Sequence, residues 1–112
     1  MDNISDLKAK TMFLMLSNYD CLKEIVEKNV PTEIFIEKDE DRLVLNELVA
    51  WHKKHKTKPS SSKIEERLNV ESHDKYLLFK QRLLELAKVE AKANEFPYYI
   101  EQLKHSWAVK EV

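Results

Sequence analysis

The side chains in this sequence best suited to chemistry fall in one short run, Trp51-His52-Lys53-Lys54-His55-Lys56-Thr57-Lys58. His52 and His55 lie three residues apart, a spacing that sets two imidazoles on one side of a helix where both could reach one metal ion. Cys21, His73 and His105 are the donors that could complete such a site. The competing explanation is simpler. Histidines and lysines gather at the C-terminal end of a helix because its exposed carbonyls carry negative charge, and that needs no metal. No metal ligand and no cofactor is therefore assigned to this chain.

The same run is the only basic patch, and with Trp51 beside it the patch could follow phosphates and stack a base. Acidic residues flank it, and Trp51 falls on the apolar side of its helix, so a solvated helix end is the preferred reading. A third possibility is a helix-turn-helix built on the Pro59-Ser60-Ser61-Ser62 turn, used by a small DNA-binding regulator. Its recognition helix would bring Asp74, Glu85 and Glu90 against phosphates, which disfavours it. Strong direct DNA binding is not expected. Carboxylates are scattered over polar faces, no Ser-His-Asp order has a supporting motif, and no catalytic residue is assigned. The chain reads as a non-enzyme.

These residues must be carried by helices. Glycine is absent from all 112 residues, where roughly eight would be usual at an average of about 7%. Hairpin turns with positive φ recruit glycine heavily, whereas helix ends accept Asn, and Asn18, Asn29 and Asn69 stand where helices should stop. The same absence excludes the GxxxxGK[ST] and GxGxxG phosphate loops. The 19 basic and 20 acidic residues nearly cancel, so no global field draws the chain to nucleic acid or to an anionic membrane. A hydrophobic content of 43% suits one globular domain. The single cysteine, the acidic start MDNISD and the lack of a long apolar run point to a cytoplasmic protein with no membrane contact.

The expected fold is all-α: a small globular bundle of about four short helices over residues 1–70, then a long antiparallel helical hairpin over 71–112. Ser5 caps a helix over 6–17 and Asn18 one over 19–28, with a short turn at Pro31. The cluster Glu37 to Asp41 opens a long helix that Pro59 stops. Along that helix Val44, Leu45, Leu48, Val49 and Trp51 share an arc of about 160°, leaving Glu40, Asp41 and Glu47 on the polar side. Phe35, Val44, Leu48 and Trp51, with Ile64 and Leu68 from a short helix over 62–68, form the expected central scaffold.

A helix from Ser72 or Asp74 to Ala93 and another from about Pro97 complete the chain. The last helix keeps Tyr99, Ile100, Leu103 and Trp107 in a narrow stripe that suits one partner. The helix before it is apolar over about half its circumference. The two stripes are expected to pair, leaving Leu77, Leu84 and Ala91, at a seven-residue repeat, either for the globular part or for another subunit.

The order of elements, with TMFLMLSNYDCLKEIVEKN, then EIF, a long helix, KTKPSSSKIEERL and a closing YYIEQLKHSWAVKEV, resembles the N-terminal domain of DnaB-type replicative helicases, particularly phage forms, over about residues 10–112. The family's Gly-x-Pro turn lacks its glycine here, where Lys56-Thr57-Lys58-Pro59 stands. The resemblance implies a fragment of a longer ATP-dependent DNA helicase without its ATPase domain. It also implies a hairpin that dimerises within a hexameric collar, and a docking surface for primase or helicase loader. Leu77, Leu84, Ala91, Tyr99, Leu103 and Trp107 are the candidate interaction residues on that hairpin. The alternative within the same biology is the helicase-binding domain of a primase, or a stand-alone replication adaptor.

Overall fold

Six α-helices and two 3₁₀ turns make up the computed structural model, which describes residues 3–111, and there is no strand among them. The helices are α1 (Ile4–Ser17), α2 (Tyr19–Glu27), α3 (Asp39–His55), α4 (Ser61–Glu71), α5 (His73–Leu86) and α6 (Phe96–Glu111). One 3₁₀ turn, Thr32–Phe35, precedes α3, and the other, Ala93–Glu95, precedes α6.

Short polar side chains set the helix ends. Asn3, not Ser5, caps α1, its Oδ1 accepting the Asp6 amide at 2.8 Å. Asn18 serves two helices: its amide donates to the Leu14 carbonyl at 2.8 Å, and its Oδ1 accepts the Asp20 amide at 3.0 Å. Ser72 works the same way between α4 and α5, donating its amide to Leu68 at 2.7 Å and accepting the Lys75 amide on Oγ. The stop expected at Asn69 therefore falls three residues later, and Asn69 instead pairs with His73 Nδ1 across the junction at 2.8 Å. Ser60 caps α4.

Without glycine, the left-handed positions fall to other residues. Asn29 after α2 has φ 53°, and Lys56, which closes α3, has φ 56°. An αL lysine costs about 1–2 kcal/mol that an asparagine partly avoids. Thus α3 ends at Lys56, ahead of the Pro59 stop.

The centre of the molecule is α1. It buries Leu7, Thr11, Met12, Leu14 and Met15 and packs against α2, α3, α5, α6 and the first 3₁₀ turn. Its apolar residues point in nearly every direction, which suits a helix surrounded by others. Phe35, Val44, Leu48, Ile64 and Leu68 are buried in one core cluster with α1, whereas Trp51 is only half-buried at its edge.

Two expectations for the C-terminal part are corrected. Helix α5 stops at Leu86, not Ala93, where Ala87 turns its amide back to the Leu83 and Glu85 carbonyls. Nor do α5 and α6 find their main partners in each other: α5 lies on α3 and α4, and α6 lies on α1 and the first 3₁₀ turn. The reason is the apolar surface of α1, which seats the Phe96, Tyr99, Ile100 and Leu103 line of α6.

Candidate functional site

The histidine run separates once it is wound into α3. His52 points inward, 3% exposed, and its Nδ1 meets the Tyr19 hydroxyl at 2.7 Å. His55 points outward and rests against the Trp51 ring at 4.3 Å between centroids. Trp51 Nε1 donates to Thr57 Oγ1 at 3.3 Å, holding the indole over the end of the helix. His73 and Tyr76 form a separate ring pair on α5, and His105 is exposed on α6. Among the described residues no three His, Cys, Asp or Glu side chains converge. Cys21 is buried, and burial, then Glu24 and Asp20, push its thiol up to about 11. A thiol so raised stays protonated at neutral pH and is a poor nucleophile or ligand.

The strongest polar arrangement was not legible from the run. Asp41, placed by periodicity on the polar side of α3, is fully buried and faces Arg82 of α5. Arg82 Nε donates to Asp41 Oδ1 at 2.5 Å and its terminal nitrogen to Oδ2 at 3.4 Å. Asp41 Oδ2 also accepts the Glu37 and Lys38 amides at 3.1 and 3.0 Å, closing the first turn of α3. Glu85 then bridges Arg82 at 3.5 Å and Lys38 at 3.2 Å. No buried side-chain nitrogen or oxygen among the described residues lacks a partner. The signal in the sequence was a charge on an apolar line: Phe79, Arg82 and Leu86 fall within about 60° of one another on α5. A saturated, enclosed pair has no open coordination site, so its role is to clamp α3 to α5.

The surface of α5 opposite that line is open. Leu77 is 48% exposed and Leu84 61%, about half a turn from Phe79 and Leu86. Ala91 does not extend the pair, because it lies beyond the helix end and is half-buried against the core. Tyr99 and Leu103, the expected hairpin stripe, are buried inside the chain, and Trp107 is half-buried. Burial, then the hydrogen bond its hydroxyl donates to Glu95 at 2.7 Å, raises the Tyr99 phenol above its usual range. Of the six expected interaction residues, Leu77 and Leu84 are thus the two freely accessible ones.

Beside this face runs a groove of about 320 Å³. Phe13 and Leu16 of α1, Leu48 of α3, and Phe79, Leu83 and Leu86 of α5 line it, with Ser17, Lys58, Pro59, Ser61 and Ala87 at its edges. Sequence reasoning missed it, since its walls come from three helices far apart in the chain. No helix among the described residues is long and apolar enough to cross a membrane.

No protein family, curated protein or solved structure matches the chain.

Proposed function

We propose that this chain is a non-catalytic protein-docking and self-association domain of a replication machine, in the manner of the N-terminal collar domain of a DnaB-type helicase. The observation that carries this reading is the outward pair Leu77 and Leu84, two large apolar side chains on the face of α5 turned away from the core. Surface leucines at a seven-residue spacing cost solvation in a lone chain and gain it back against a second apolar surface. The order of short helices, EIF turn, long helix, serine turn and two closing helices supports the narrower family reading. Primase or helicase loader would be the natural external partner, and the motor activity would belong to a separate ATPase domain.

The test is sedimentation velocity over a range of concentrations, with duplex DNA binding measured at low salt alongside. The reading expects a sedimentation coefficient that rises with concentration and no salt-sensitive DNA binding. A concentration-independent monomer that binds duplex DNA, with affinity falling steeply as salt rises, would replace it with the regulator reading.

A further inference from the structure

Helix α5 carries a series of apolar side chains from the core toward its free face, with the exposed Lys80 between Ala87 and Leu84. Turning about the axis, Leu86 is followed by Leu83, Ala87, Leu84 and Leu77, each within about 60° of the last. Leu86, Leu83 and Ala87 border the groove, while Leu84 and Leu77 stand outside it. The groove and the exposed leucines are therefore neighbouring surfaces with Lys80 between them, and the concave one suits an anchoring side chain. Its volume, about 320 Å³, is at the small end of the range for ligand sites.

Charge selects among occupants. Among the described residues no carboxylate lines the groove, and the one ionisable group there is Lys58, which is exposed, with the Ser17 and Ser61 hydroxyls as further polar groups. Lys53 and Lys54 of the same run face other parts of the surface, so Lys58 is the cation this groove presents. An apolar segment with basic flanks would meet Lys58 unfavourably, and one with acidic flanks would be drawn toward it.

We propose that this groove docks an acidic amphipathic helix of a partner protein, which seats a leucine- or phenylalanine-sized side chain between Phe13, Leu16 and Leu83 and sets a carboxylate against Lys58. The proposal rests on the docking reading above and names the chemistry of its partner. Helix-in-groove recognition places apolar anchors at i, i+3 and i+4, which fits a concave apolar strip walled by α1 and α5.

The experiment is fluorescence anisotropy of the full chain with a labelled peptide of about four helical turns, carrying leucines on one face and glutamates on the other. A peptide with lysines in place of the glutamates is the control. The acidic peptide is expected to bind at least about tenfold tighter than the basic one. Lys58→Glu should weaken it about fivefold and reverse the preference. Ala87→Trp, a change at an exposed position that fills the groove from its edge, should abolish binding of the acidic peptide, with circular dichroism confirming an unchanged helix content. Equal affinity for the two peptides, no binding of either, or acidic binding indifferent to Ala87→Trp would overturn the proposal. Self-association that persists without peptide binding would sink this inference alone and leave the docking domain standing. A peptide that competes with self-association would place its site on the surface shared with Leu84.

Discussion

On one side of α5, Arg82 is enclosed with Asp41, and every polar atom of the pair has a partner; on the other, Leu77 and Leu84 stand in water with none. The two sides break opposite rules, a charge inside and large apolar groups outside. The difference lies in how each departure is compensated. The buried charge is compensated within the chain, by a bidentate contact and two backbone amides, so it stabilises a geometry and offers nothing to a ligand. The exposed leucines are not compensated within the chain, and the proposed docking rests on them. Structure is read from the first side and function from the second.

Breaking the closed side should have the largest effect on folding. Arg82→Ala leaves the Asp41 carboxylate buried without its cation, and chemical denaturation should show a loss of about 3–5 kcal/mol. Replacing both partners together, Asp41→Leu with Arg82→Met, should recover part of that loss. A double variant no better than Arg82→Ala would mean that the backbone amides held by Asp41, not the ion pair, secure α3. Tyr19→Phe is a smaller break in the second enclosed contact, removing the hydroxyl from His52 Nδ1 at a cost of about 1–2 kcal/mol by the same assay.

The buried thiol adds a pH dependence. Its protonated form is favoured in the folded state, so Cys21 contributes stability that is complete below its ordinary value of 9.0 and is lost as pH rises toward about 11. Alkylation of the folded chain at pH 8 should be much slower than that of the chain in denaturant. Equal rates would show that α2 opens readily.

Much of the fold was legible because helix ends are local. Asn18, Asn29 and the serines before α4 and α5 mark boundaries through contacts within a few residues, and the absence of glycine excludes most alternatives to helix. The end of α5 was not legible. Ala87-Lys88-Val89-Glu90-Ala91 reads as helix by propensity, and only the packing of Val89 and Ala91 on the core turns it away. The central place of α1 was hidden for a related reason, since a helix apolar on most sides shows weak periodicity. Of the candidate site, Leu77 and Leu84 were visible as surplus on a wide arc. Asp41 with Arg82, forty-one positions apart, was not, because nothing local in α3 reports on a partner in α5. The groove needed α1, α3 and α5 together.

On the open side, the smallest stability change should accompany the largest change in assembly. Leu84→Lys puts a cation in the last turn of α5, where the helix end favours it, so the thermal midpoint should stay within the equivalent of about 0.5 kcal/mol of the parent. The decisive measurement is multi-angle light scattering of the two proteins at matched high concentration. The account predicts a parent mass above that of one 13.3 kDa chain and a Leu84→Lys variant at the single-chain mass. Identical masses for both, whether monomeric or associated, would contradict the assignment of this face to self-association.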